Sequence, residues 1–112
     1  WRTPYAATKW AIVGLMKSLA SELGESDIRV NALLPGIVEG PRMDGVIDRE
    51  AQAVGKTPQE IRTGYEKQVS LQTFIEPDDI AASCVFLSSP AGRFISGQVL
   101  PVDGNIETMR SN

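Results

Sequence analysis

Only two stretches of this chain read as β-strands, and each follows a helical segment. The first, Ile28-Arg29-Val30-Asn31-Ala32-Leu33-Leu34, is a short apolar run that stops at Pro35-Gly36. It has the character of a buried strand in a parallel sheet. The second is Gln98-Val99-Leu100-Pro101-Val102, closed by Asp103-Gly104-Asn105. Helices alternating with such strands predict an α/β layout with parallel pairing. Two strands do not make a stable sheet, which normally needs three or more strands or helix cover. The expectation is therefore a sheet completed by residues upstream or in another chain.

The helices carry their own punctuation. Thr3-Pro4 reads as a capping hydroxyl followed by proline in the first turn, and Gly24 as a stop, predicting a helix over about 4–23. Ala7, Ala11, Leu15, Leu19 and Leu23, joined by Ile12 and Met16, are its expected apolar stripe. Residues 36–75 form a long excursion. Met43, Val46, Ile47 and Val54 predict a short helix near 42–54, and Thr57-Pro58-Gln59-Glu60 is a capping-box start for another with Ile61, Tyr65 and Val69 on its apolar side. An excursion of this length after a strand is often a binding loop or lid. Glu76-Pro77-Asp78-Asp79 opens a further helix, expected to bury Ile80, Ala81, Cys84, Val85 and Leu87 and to stop near Ser88-Ser89-Pro90. Ala91-Gly92-Arg93-Phe94 reads as a turn, and residues 106–112 as a tail.

Composition removes several functions. The net charge is −3 and no basic run is present, which argues against a nucleic-acid partner. No apolar stretch approaches the ~18 residues that cross a bilayer, and no signal peptide is visible, so neither a membrane nor an export route is expected. A single cysteine, Cys84, cannot form an internal disulfide, which fits a reducing, cytoplasmic setting. Histidine is absent, which removes His-based triads and most zinc sites; no metal is expected.

Tyr5 and Lys9 are the chemical centre of the sequence. Four residues apart on a helix, a phenol and an ammonium leave the same face one turn apart. Such a pair can turn a tyrosine into a proton donor and acceptor. The pair lies close to Trp1, and the chain has no initiator Met, which leads to the expectation that it is the second half of something larger.

The order of features is similar to the C-terminal half of the short-chain dehydrogenase/reductase (SDR) family. The resemblance rests on Tyr5…Lys9 opening a helix, Arg29-Val30-Asn31-Ala32 running to Pro35-Gly36, and a variable loop. Pro77-Asp78-Asp79-Ile80-Ala81, Phe86-Leu87-Ser88-Ser89, Ile95-Ser96-Gly97-Gln98 and Val102-Asp103-Gly104 follow in order. It covers about residues 3–105. A YxxxK pattern alone arises by chance; the ordered set carries the assignment. The resemblance implies the C-terminal half of a doubly wound, parallel-sheet Rossmann fold, three-layer α/β/α in the full protein, with a nicotinamide cofactor across the carboxyl ends of the strands. Residues 1–105 would be part of a single NAD(P)-binding domain, with 37–75 as its substrate loop. The family's glycine-rich phosphate loop and catalytic serine precede the YxxxK helix and are not among these residues.

By the same resemblance the protein interconverts an alcohol and a ketone, with NAD or NADP and a small-molecule substrate, as a homotetramer. Tyr5 is the acid/base and also a cofactor contact, and Lys9 holds the nicotinamide ribose and favours the phenolate. Any phenol working near neutral pH must drop ~3 units from ~10, or ~4 kcal/mol. A cation ~6 Å away at an effective dielectric near 20 supplies ~3 kcal/mol. Pro35, Gly36 and Val38 are implied to meet the nicotinamide carboxamide through backbone atoms. Many members place Thr four residues after the glycine; here Gly40 stands there. Glu39, Arg42, Met43, Val46 and Tyr65 are the loop residues expected to face substrate, with Arg42 able to pair with an anionic group or, more simply, with Glu39 or Asp44. Trp10 reads as a residue of an interface or a core, Cys84 as a packing residue on the apolar face, and Asn31 as a satisfier of nearby backbone groups. The competing reading is a non-catalytic dinucleotide-binding or sensor protein of the same fold. A free-standing interaction module is disfavoured by the strand count. Residues 1–112 alone are expected to be inactive.

Overall fold

A computed structural model describes residues 3–106. Helix α1 spans Thr3–Leu23, β1 Ala32–Pro35, α2 Pro41–Val54, α3 Pro58–Glu66, α4 Pro77–Ser88 and β2 Val99–Val102, with 3-10 turns at Gly24–Ser26 and Pro90–Gly92. β1 and β2 form one two-stranded sheet. The Ala32 amide donates to Gln98 O and the Gly36 amide to Val102 O, both at 2.9 Å, and this constant offset makes the pair parallel. Trp1, Arg2 and most of the expected tail lie outside the described residues.

The chain divides into two compact units, Trp1–Leu34 with Ser83–Leu100, and Pro35–Ala82 with Pro101–Asn112. In the first, α1 buries only Met16, flanked by half-buried Val13, Leu19, Ala20 and Leu23. Ala7, Ala11 and Leu15, expected on the packed stripe, are exposed, Leu15 at 59%. A helix apolar on several sides gives no unique stripe, and here Val13, Met16, Ala20 and Leu23 meet neighbours. Ala20 is small where Gly97 approaches: a side chain on Gly97 would lie 3.5 Å from the Ala20 Cβ. The Lys17 ammonium donates to Gly97 O at 2.9 Å.

α4 corrects the expectation similarly. Leu87 is buried and Ile80 half-buried, but Ala81, Cys84 and Val85 are exposed; Trp10 on α1, at 74% exposed, is not a core residue of this chain. The strand expected over 28–34 is paired only from Ala32. Upstream of it one backbone bond remains, from the Gly97 amide to Val30 O at 2.7 Å, and side chains supply the rest. The Val30 amide donates to Ser96 Oγ at 3.2 Å, and the Arg29 guanidinium to Ile95 O at 3.2 Å. Asn31 bridges the two segments as anticipated, donating to Ile95 O at 2.9 Å and accepting from the Gln98 amide at 3.1 Å. Leu34 remains 42% exposed, so β1 is less buried than its composition implies.

The second unit holds a core of Ile47, Ala51, Ile61 and Phe74, with Ile37, Met43 and Tyr65 packed against it. Ile47 and Ala51 are one helical turn apart on α2, which is why they bury together. α3 starts where the sequence signals it. Thr57 Oγ1 accepts from the Glu60 amide at 3.2 Å, and the Thr57 amide donates to the Glu60 carboxylate at 2.8 Å. The Thr57 amide, with the Thr57 hydroxyl donating to the same carboxylate at 3.0 Å, holds the Glu60 carboxyl below its ordinary value near 4.5. The excursion is therefore a helical hairpin with its own core.

Candidate active site

Tyr5 and Lys9 occupy successive turns of α1, and the Lys9 ammonium lies 5.4 Å from the centre of the Tyr5 ring. Both side chains are exposed, Tyr5 at 62%. The phenol is thus reachable by a substrate and has a cation beside it. Thr8, on the same turn, donates to Tyr5 O at 2.8 Å.

The remaining candidates lie in the other unit and are described with it. The sheet ends at Gly36, whose α-carbon is pressed against the turn after β2. A β-carbon there would lie 2.6 Å from Asp103 Cα and 2.7 Å from Asp103 Cβ, so only glycine fits without movement. Val38 pairs with Ile75 in a single parallel bridge. The Glu39 amide donates to Ile75 O and the Ile75 amide to Ile37 O, both at 2.8 Å. In parallel pairing the residues flanking Val38 make the bonds, so the N–H and C=O of Val38 itself face away from Ile75. An outward amide and carbonyl on one residue supply the donor and acceptor that a ligand carboxamide needs. The backbone at Val38 thus offers the donor and acceptor that the amide-bearing end of a nicotinamide would use.

The loop side chains divide. Met43 packs on the hairpin core, and Tyr65 joins it while its hydroxyl donates to the Glu50 carboxylate at 2.6 Å. Val46 is half-buried and Arg42 exposed on α2. Glu39 forms an ion pair with Arg62, so the simple pairing with Arg42 is replaced by a partner on α3. That contact holds the Arg62 guanidinium above its ordinary value. Arg62, Phe74 and Ile75 carry no functional signal in the sequence, whereas Asp103 is legible there as a turn residue after the second strand. Only the Arg62–Glu66 pairing, at i and i+4, had a local signal.

Elsewhere, a cleft of about 230 Å³ is lined by Arg29, Asn31, Leu33, Cys84, Leu87 and Ser88, none of them a candidate for the chemistry. Among the described residues no group of acidic, cysteine or histidine side chains could hold a metal ion. No helix among them is long and apolar enough to cross a membrane.

A family model described as enoyl-(acyl carrier protein) reductase matches residues 2–106. The 3-oxoacyl-[acyl-carrier-protein] reductase FabG of Thermotoga maritima is 32% identical over 105 residues, 94% of this chain and 38% of the reductase. A short-chain dehydrogenase family protein from Francisella tularensis superposes with a TM-score of 0.88 at 33% identity, over 95% of this chain and 44% of its own. A variant of actinorhodin polyketide ketoreductase, solved with NADPH, superposes with a TM-score of 0.82 at 29% identity, over 92% and 40%. The chain spans well under half the length of these relatives. Its fold is accordingly part of their Rossmann α/β fold. With the match running through almost every residue, this chain belongs to the short-chain dehydrogenase/reductase family of NAD(P)-dependent oxidoreductases.

Proposed function

We propose that the full-length protein interconverts a small alcohol and its ketone with NAD or NADP, using Tyr5 as the acid/base. The observation that carries this reading is the exposed Tyr5 phenol with the Lys9 ammonium 5.4 Å from its ring, at the start of α1. When bound, the nicotinamide supplies the chemistry of hydride acceptance or donation. In alcohol oxidation Tyr5 takes the hydroxyl proton; in ketone reduction it returns a proton to the carbonyl oxygen. Lys9, one turn along, holds the ribose hydroxyls and places a positive charge beside the reacting phenol. Pro35, Gly36 and Val38 hold the carboxamide through their backbone. Arg42, Met43, Val46 and Tyr65 belong to the cap that shapes the substrate side. Residues 1–105 form part of one NAD(P)-binding domain, the protein is a cytoplasmic homotetramer, and it needs neither membrane nor nucleic acid.

The test is the full-length protein and its Tyr5→Phe variant, assayed against a panel of alcohols and ketones with both cofactors. The variant should bind cofactor as before and lose turnover by about 100-fold or more. Equal turnover by both forms would sink the role of Tyr5. Cofactor binding without turnover of any substrate would instead favour a non-catalytic dinucleotide sensor.

A further inference from the structure

Arg62 reaches both ends of the neck from which the helical hairpin grows. Its guanidinium pairs with Glu39, the residue after Val38. Its Nε donates to Glu66 at 3.1 Å, and its Cζ lies 4.4 Å from the centre of the Phe74 ring. Phe74 is only 5% exposed and precedes Ile75, the residue bridged to Val38. One side chain on α3 thus grips the strand segment leaving the sheet and the segment returning to it. A planar guanidinium can donate to two carboxylates at its edge while its face covers a ring; an ammonium cannot do all three.

We infer that Arg62 is a positioning residue of the nicotinamide site. By holding Glu39 from one side and Phe74 from the other, it sets the orientation of the Val38 peptide, whose N–H and C=O face away from Ile75. This rests on the proposed role of Val38 in holding the carboxamide. It goes further in tying cofactor-ring affinity to a residue that does not touch the ring, and in making the α2–α3 hairpin and the ring-binding backbone one mechanical piece. Glu39 is then a structural partner of the hairpin rather than a substrate contact.

The test uses the full-length protein with Arg62→Met, Glu39→Gln, the double variant and Arg62→Lys. Reduced-cofactor affinity is read by NADH and NADPH fluorescence titration without substrate, and neck opening by hydrogen exchange of peptides containing Glu39 and Ile75. Each single variant should weaken binding roughly fivefold or more and speed exchange at the neck. The double variant should be no worse than the weaker single variant, because the two residues act as a unit. Lys at position 62 should recover part of the affinity. In turnover, KM for cofactor should rise while kcat at saturating cofactor stays within about twofold. If Arg62→Met does not fold, Glu39→Gln decides alone. A wild-type protein that binds cofactor, with a folded variant that binds it equally well, overturns the inference and leaves the proposed function standing. A wild-type protein that binds neither NADH nor NADPH overturns both, and that result is read before any variant is made.

Discussion

Replacing Gly36 by Ala adds one methyl group at the point where the end of β1 meets the turn after β2. The new carbon would lie 2.6 Å from Asp103 Cα, 2.7 Å from Asp103 Cβ and 3.1 Å from Asp103 O. Carbon atoms rest at about 3.5–4.0 Å, so the two segments must part by roughly 1 Å. Two of the three clashing atoms are backbone, which leaves no flexible side-chain tip to swing aside. Overpacking of this kind costs about 1–3 kcal/mol. Parting the segments also strains the hydrogen bond from the Gly36 amide to Val102 O, 2.9 Å long and worth about 1 kcal/mol net. The expected loss is therefore about 2–3 kcal/mol, a 30-fold or larger change in the folding equilibrium. Urea unfolding of the full-length protein and the variant gives the number directly, provided the slope is unchanged. Cofactor affinity should fall too, since Val38 is only two residues further on. A loss below about 0.5 kcal/mol with unchanged affinity would refute the claim that close backbone approach dictates this glycine.

Other outcomes follow from separate features. Thr57→Ala removes the hydroxyl half of the α3 capping box and should cost about 1 kcal/mol in urea unfolding, with the hairpin peptides exchanging faster. The Glu60 carboxyl is held below its ordinary value near 4.5 by the Thr57 amide and hydroxyl. A depressed folded value means its contribution is present above about pH 4.5 and lost as pH falls through the folded value, so Glu60→Gln should flatten acid unfolding in that window. Trp10, Ile12, Leu15 and Val85 are each more than half exposed. The 112-residue chain expressed alone should bind an apolar-surface dye and self-associate, and a dye-silent monomer at micromolar concentration would contradict this.

Local rules made the helical elements legible. Thr57-Pro58-Gln59-Glu60 starts a helix because its own four residues satisfy one another's donors, and Gly55 ends the helix before it for an equally local reason. The Tyr5–Lys9 juxtaposition is likewise a property of helical spacing, visible before any coordinates. The buried face of α1 was not legible, because apolar residues lie on several of its sides and periodicity does not choose among them. Nor was the start of β1: Ile28–Asn31 have strand composition, yet the regular strand begins at Ala32, and Val30 accepts one backbone bond from the Gly97 amide while its own amide bonds to the Ser96 side chain.

The sequence by itself determined the helix starts, the α/β alternation and the juxtaposition of Tyr5 with Lys9, since each depends on local signals along the chain. Tertiary structure alone decided that Arg62 finds Glu39 across 23 positions, that Val38 pairs with Ile75, and that Gly36 lies against Asp103. These contacts leave no periodic or local trace, because they form only when the excursion folds back on itself. They also arrange the backbone around Val38, so the orientation of the proposed ring site is a tertiary property resting on a locally legible scaffold.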